Sequence, residues 1–393
     1  MDRIGRLNGQ NPVKSEPGTA MTRNEWSRRQ LLKAAGLGLA ATAFKRGDPA
    51  RAAGVMGTTQ ISSTTAKLGV FAEPNATETS YFQAFCDFQS EIDRAAAIYR
   101  TYRSWGQPIF NSTINSILDP AKDNFLPTPE LYLSFHAYKD KKGTKCISWA
   151  EIYAGCYDAE IDAWVTDLDN LLNKTGHLYV AFHHEMENQE GTPPIGCGTI
   201  GTNCGSPDEF KAAYWHFRAR VQDGLQSLNG WPPEVITWVI TYMGNTFRGK
   251  HGGPDVWWPS SADPSYVPDV ADDHLAGVDL YNRYKCHHKP WYDFQYLAVG
   301  PTGQGPQPFA TSKGRQLFIG ECGTVEGDAC FGDGTHSKAQ WFDDALNLMK
   351  SWGNLEAFCY SQVSGFNSGD YRIETSPDSL AAFQALANDP FFS

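Results

Sequence analysis

Leu178-Tyr179-Val180-Ala181-Phe182-His183-His184-Glu185-Met186-Glu187 sets a short apolar run directly against a cluster of titratable side chains. A run of this length bounded by polar residues reads as a strand buried on both faces, the pattern of a parallel sheet rather than of a half-exposed one. The same pattern recurs at Leu317-Phe318-Ile319-Gly320-Glu321-Cys322-Gly323, 136 residues further on when counted from Glu185 to Glu321. Working outward, further apolar runs at Leu68–Phe71, Ala95–Tyr102, Leu131–Phe135, Val235–Ile240, His274–Tyr281 and Leu355–Tyr360 bring the count of strand candidates to eight. Helix-like segments lie between them: Asn111–Leu118, Asp158–Leu172 with Ile161, Val165, Leu168 and Leu172 in register, a segment opened by Ser206-Pro207-Asp208-Glu209, Ser337–Trp352, and one capped by Ser376-Pro377. Repeated βα units imply a parallel sheet, and eight of them imply closure into an α/β (β/α)₈ TIM barrel. No Gly-rich phosphate turn follows the first strand, which weighs against an open dinucleotide-binding sheet.

In a barrel of this kind the C-terminal strand ends form the active-site mouth. Glu185 and Glu321 both stand at such ends. Burying a carboxylate beside an apolar strand is costly without a partner, so two independent cases argue for chemistry. A pair of carboxyl groups is what glycosidic bond cleavage needs: one protonates the leaving oxygen and the other attacks the sugar. Glu187 and Glu190 are rival carboxylates, with Glu187 expected to face a loop.

The chain has 393 residues and a formal net charge of −11. Its first 52 residues read as an export leader. Ser27-Arg28-Arg29-Gln30-Leu31-Leu32-Lys33 is a twin-arginine motif, an 11-residue apolar stretch Ala34–Phe44 follows, and Ala50-Arg51-Ala52 supplies a cleavage site. Residues 53–66 form a flexible lead-in, and 67–393 form the catalytic domain. Removing the leader takes Lys+Arg from 33 to 23 and Asp+Glu from 44 to 40, a net of −17. Such a chain repels phosphate backbones, which excludes nucleic acid as a partner. No later segment is apolar enough to span a bilayer. The expectation is therefore a secreted, extracellular or periplasmic monomer, exported through the Tat route, whose partner is a polysaccharide or oligosaccharide.

Nine cysteines in an exported chain point to disulfides. Spacing nominates Cys197–Cys204, Cys146–Cys156 and Cys322–Cys330, although sequence does not fix connectivity. Cys286-His287-His288 is the one local cluster with metal-ligand character, and no HExxH or CxxC motif is present; no cofactor or metal is expected. A metal-dependent hydrolase built on His183, His184 and His136 is nevertheless a distinct alternative, as is a non-catalytic carbohydrate-binding barrel.

The two glutamates follow the fourth and seventh strands, a placement that resembles the clan of retaining glycoside hydrolases with acid/base and nucleophile at those positions. More narrowly, His184-Glu185-Met186 resembles the signature of glycoside hydrolase family 26, the β-mannanase family. Ala154-Gly155-Cys156-Tyr157-Asp158 and Gly277-Val278-Asp279-Leu280-Tyr281 extend the resemblance along residues 67–390. It implies Glu185 as acid/base, Glu321 as nucleophile, and an endo-β-1,4-mannanase-like activity; β-glucan, xylan or a wall glycan stay open as substrates. The chain departs from the family where Glu187-Asn188-Gln189-Glu190-Gly191 replaces the usual Asn-Gly after the signature, and where Phe358-Cys359-Tyr360-Ser361-Gln362 lacks a tryptophan.

Supporting roles follow from position. His184 precedes the acid, within reach of the sugar or the nucleophile. Tyr281, ending the sixth strand, is placed to donate to Glu321 and hold it ionised. His136 ends the third strand, near a sugar hydroxyl. Twelve tryptophans suit a cleft in which sugars stack on rings. The Trp257-Trp258 pair is the leading platform, with Trp238, Trp149 and Trp291 as further candidates.

Overall fold

The structure, a computed structural model, describes residues 65–393 except 76–77, 123–126, 140–144, 194, 285–288, 328–335 and 366–368. The leader and Cys286-His287-His288 lie outside the described residues. Eight parallel strands close into a barrel in sequence order. They are β1 Lys67–Ala72, β2 Ile98–Ser104, β3 Glu130–His136, β4 Leu178–Phe182, β5 Ile236–Met243, β6 Leu275–Asn282, β7 Leu317–Thr324 and β8 Leu355–Gln362. The closing pair β8–β1 is in continuous register from Lys67↔Ala357 to Ala72↔Gln362. The (β/α)₈ reading therefore holds.

Strand periodicity sorts the side chains into two cores. Outward-facing residues such as Leu131, Leu133 and Phe135 pack under the helices in one large apolar layer. Inward-facing ones, among them Ile98, Tyr132, Tyr179, Val239 and Phe318, fill the barrel. The helices begin where the sequence places their caps: Ser206 and Glu209 form a reciprocal capping box at Pro207–Asn229, and Ser376 caps Pro377–Ala387. Two features of the barrel shape its mouth. A bulge between Val278 and Asp279 pairs Asp279 with Glu321, bringing two acids side by side. Gly320 leaves room at the centre, where a Cβ would come within 2.9 Å of Arg100 Nη1 and 3.1 Å of Asp279 Oδ1.

Two disulfides join the loops after β3 and β4, but with partners other than those expected: Cys146–Cys204 and Cys156–Cys197. The barrel lays these two loops against each other, with Cys146 and Gly201 bridged as in a short antiparallel ladder. Proximity in space thus overrides proximity in sequence, so neither Cys197–Cys204 nor Cys146–Cys156 forms. Cys322 is a buried thiol on β7 rather than half of a bridge; Cys330 lies outside the described residues. Among the described residues no helix is long and apolar enough to cross a membrane.

Candidate active site

A cleft of about 760 Å³ opens at the C-terminal end of the barrel, with Glu185, Glu321, His184, His136 and Tyr281 in its lining. Four side chains from sequence separations of up to 221 residues meet at Glu321. Arg100 Nη2 donates to Glu321 Oε1 at 3.0 Å, Tyr102 donates its hydroxyl hydrogen to the same oxygen, and His184 Nε2 lies 3.2 Å from it. Tyr281 donates to the other oxygen, Oε2, at 2.6 Å and stands 2.8 Å from Ser361 Oγ.

The histidine tautomer follows from its neighbours. Arg100 has only donors, and its Nη2 is 3.0 Å from His184 Nδ1. Nδ1 must therefore accept, which leaves the proton on Nε2, directed at Glu321 Oε1 and at Asp279 Oδ2, also 3.2 Å away. Burial would raise the pKa of Glu321, but the Arg100 charge and the hydrogen bonds from His184 and Tyr102 outweigh it and hold this carboxyl well below the usual range. Glu321 is an ionised acceptor at any pH near neutral.

Glu185 is driven the other way. Burial is the largest cause and the negative charge of Glu321 adds to it, so the carboxyl keeps its proton above the usual range. Its position depends on an uncommon backbone: both His183 and Glu185 adopt positive φ of 50°, a conformation that L-residues take at a cost and that concentrates at functional sites. The double turn lets Glu185 N donate to Thr241 O on β5 at 3.0 Å and His184 N donate to Phe135 O on β3 at 3.3 Å. Asn188 Nδ2 then donates to Glu185 Oε2 at 3.0 Å, so a residue of the segment that departs from the family pattern holds the acid.

Asp279, four per cent exposed, faces the His184 Nε2 proton through Oδ2 at 3.2 Å, while its Oδ1 has no hydrogen-bond partner among the described residues. Burial and the Glu321 charge push its pKa well above the ordinary value, so it stays neutral beside the ionised Glu321. His184, Glu185 and Asp279 each bring a ligand atom within 4.8 Å of the others, a spacing a cation could use. The Arg100 guanidinium, 3.0 Å from both His184 and Glu321, already supplies positive charge there and disfavours a second cation. His183 is unsuited as a ligand through Nδ1, which accepts from Trp149 Nε1 at 3.0 Å and Ala137 N at 3.3 Å. His136 sits with its ring 5.3 Å from that of His184, and burial keeps it neutral.

The tryptophans are a correction. Trp257 is fully buried against Trp149 and Phe210, with Nε1 donating to His251 O. Trp258 packs on His274 and Phe309, and Trp238 faces outward from β5 onto Tyr214 and Phe217. None of the three lines the cleft, so none is a sugar platform there. The rings that do line it are Phe71, Tyr81, Tyr99, Tyr102, Tyr138 and Tyr281. Sequence reasoning passed over Arg100, Tyr102 and Asp279. The available signal was periodicity: Arg100 with Tyr102, and Asp279 with Tyr281, share a strand face two residues apart.

Glu187 is also corrected. It is not at the surface but one per cent exposed, accepting from Met243 N at the end of β5 at 3.1 Å and from Thr246 Oγ1 in the loop that follows at 2.6 Å. Burial raises its pKa to about 8. The folded protein thus keeps this proton up to about pH 8, whereas an unfolded chain releases it near pH 4.5. Between those values the folded state binds more protons, so stability falls as pH rises, and the loss is complete above pH 8. Glu187→Gln, which keeps the acceptor oxygen and carries no charge, is expected to flatten this slope. Melting temperatures of both proteins from pH 5 to 8 check it; parallel curves would show that Glu187 titrates normally.

Similar barrels are found in β-mannanases. An endo-β-1,4-mannanase from Cellulomonas fimi is 17% identical, with 86% of this chain and 73% of that chain covered and a TM-score of 0.47. The family 26 domain of a Prevotella bryantii endo-β-mannanase/endo-β-glucanase is 11% identical over 85% of this chain and 92% of its own, with a TM-score of 0.49. A β-mannanase from a symbiotic protist of the termite Reticulitermes speratus, solved with a gluco-manno-oligosaccharide, is 13% identical over 86% and 90%, with a TM-score of 0.47. No protein-family signature matches the chain, and no curated protein sequence matches it. At such identities and scores, function is read from the site itself.

Proposed function

We propose that this protein is a secreted, retaining β-glycoside hydrolase, endo-β-1,4-mannanase-like in its action, that cleaves its polysaccharide through a glycosyl-enzyme intermediate. The observation that carries the reading is the divergence of two carboxyls in one cleft: four donors hold Glu321 ionised, while burial and the Glu321 charge raise the pKa of Glu185. Pairs of acids pushed apart in this way mark acid and nucleophile. Glu321 attacks the anomeric carbon as Glu185 gives its proton to the leaving oxygen. Glu185, now a base, takes a proton from the water that hydrolyses the glycosyl ester. The Arg100 charge compensates Glu321 in the ground state, and Tyr281 keeps its hydrogen bond on Oε2.

Export through the Tat route is part of the same reading. Two disulfides fit an oxidising destination, and the twin arginines supply the address. One experiment addresses both parts. Protein recovered from the culture medium is expected to begin at Ala53 and, after treatment with a 2-deoxy-2-fluoro glycosyl fluoride, to carry a single sugar ester on Glu321 by peptide mass spectrometry. NMR of the first hydrolysis product should show the β-anomer. A label on another residue removes the nucleophile assignment, the α-anomer removes retention, and protein that stays in the cytoplasm removes export.

A further inference from the structure

The carboxylate pair stands after β4 and on β7; the same cleft is also lined by the end of β1 and the start of the helix that follows it, which have no part in the chemistry above. There Tyr81, the first residue of the helix Tyr81–Ile92, is 37% exposed. Its ring lies 6.3 Å from that of Phe71. Phe71 lies 5.1 Å from Tyr102, whose hydroxyl is on Glu321. Three aromatic rings thus run in file from solvent to the nucleophile. Beside the outermost ring, Glu73 at the end of β1 lines the cleft and accepts a hydrogen bond from Tyr81 at 3.4 Å. Its other carboxylate oxygen has no partner among the described residues.

A flat apolar face next to a carboxylate acceptor is the chemistry that recognises a sugar ring. The ring face covers the C–H side of a pyranose, and the carboxylate accepts from its hydroxyls. The charge at this end narrows the ligand. Gln362 gathers further acids behind Glu73: its backbone carbonyl accepts from Glu73 N at 3.1 Å while its amide donates to Glu374 Oε2 at 2.7 Å and to Glu91 Oε2 at 3.5 Å, and burial together with the charge of Glu374 raises Glu91 to about 7. The donors of two arginines on this side of the barrel are engaged within the protein. Arg103 gives its guanidinium to Ile109 O at 3.2 and 3.1 Å, to Thr101 Oγ1 and to Tyr102 O. Arg372 is paired with Asp370 and Glu374. Arg283, the other arginine of the cleft lining, belongs to the β6 side, over the Tyr281 ring.

We infer that Tyr81 and Glu73 form a distal sugar subsite, joined to the reacting centre by Phe71, and that it accepts an uncharged sugar ring and rejects a uronic acid. The inference rests on the glycoside hydrolase reading and deepens it: of the glycans open to this barrel, neutral chains such as mannan, glucan or xylan fit, and carboxylated ones do not.

Calorimetric titration of the Glu321→Gln variant separates binding from turnover. With mannotetraose, cellotetraose and xylotetraose as probes, adding Tyr81→Ala is expected to weaken the tightest of the three about tenfold, and the corresponding disaccharide by less than about twofold. A mannuronic acid tetramer should bind at least about tenfold more weakly than mannotetraose, and adding Glu73→Gln should narrow that gap. Both positions are partly exposed, and circular dichroism checks that the variants fold. Tetrasaccharide affinity indifferent to Tyr81, or mannuronate bound as tightly as mannotetraose, overturns the subsite and leaves the catalytic reading standing. No binding of any oligosaccharide to the Glu321→Gln protein overturns both.

Discussion

Replacing Glu321 by alanine is expected to remove turnover on every glycoside, activated or natural, by on the order of 10⁵-fold in kcat. No neighbouring group can take the covalent step. Asp279 pairs with Glu321 across β6 and β7, but it lies in the barrel interior, and its neutral state is imposed by burial and by the Glu321 charge itself. The same coupling predicts what happens to stability. Stranding the fully buried Arg100 charge would ordinarily cost about 3–5 kcal/mol. Without Glu321, however, one of the causes that keeps Asp279 protonated disappears, and Asp279 is expected to ionise and take over the role of counter-ion to Arg100. The variant should therefore fold, with a melting temperature lower by less than an orphaned arginine implies. The double variant Glu321→Ala with Asp279→Asn should lose that compensation and melt much lower. Kinetics on an aryl glycoside and calorimetry of the parent, of Glu321→Ala, of Asp279→Asn and of the double variant check both parts. Residual turnover above about one per cent in Glu321→Ala would remove Glu321 from the covalent step. Additive stability losses would remove the charge exchange.

Which parts of this arrangement were legible in the sequence follows from the range of the interactions involved. The eight strands were readable because an apolar run of β-forming residues is a local signal, and so were the caps at Ser206 and Ser376. Glu185 and Glu321 were readable because each sits where such a run stops. Arg100 was not, since a single arginine inside Ala95–Tyr102 looks like a solvated interruption until its partner, 221 residues away, is brought to 3.0 Å. Asp279 likewise sits in an apolar strand, and only the bulge beside it sets it opposite Glu321. The disulfides failed for a related reason: short spacing favours a local pair, whereas the barrel lays the loop after β3 against the loop after β4. Composition also misled at Trp257 and Trp258. A tryptophan in a Gly/Pro-rich insertion can face a ligand or anchor the insertion to the core, and here the indole of Trp257 anchors it through His251 O. Glu187 was assigned to a loop because it follows the strand. The positive φ at His183 and Glu185 reverses the backbone and sends it inward instead.

Glu185→Ala is expected to fail in a different way, and the difference identifies the acid. The natural glycosidic oxygen is a poor leaving group, so loss of the proton donor should lower kcat/KM on polysaccharide by on the order of 10²–10⁴-fold. An aryl glycoside with an acidic phenol needs no such proton, and its glycosylation step should be nearly unaffected. The bottleneck then moves to hydrolysis of the Glu321 ester, because the water loses its base. Azide needs no base, fits the space vacated by the side chain, and should accelerate turnover while yielding a β-glycosyl azide. The pH profile supplies an independent reading. In the parent protein, activity requires Glu321 ionised and Glu185 protonated. Since burial and the Glu321 charge raise Glu185, the basic limb of kcat/KM should lie above the ordinary carboxylate range. In Glu185→Ala with the aryl substrate that limb should vanish, while the acidic limb set by Glu321 stays. Asn188→Ala, which removes the 3.0 Å hydrogen bond to Glu185 Oε2, should shift the basic limb and leave the acidic one in place. Equal losses on natural and activated substrates, with no azide response, would mean that the proton comes from another group; His136 and His184, which line the same cleft with their rings 5.3 Å apart, would then be the residues to replace.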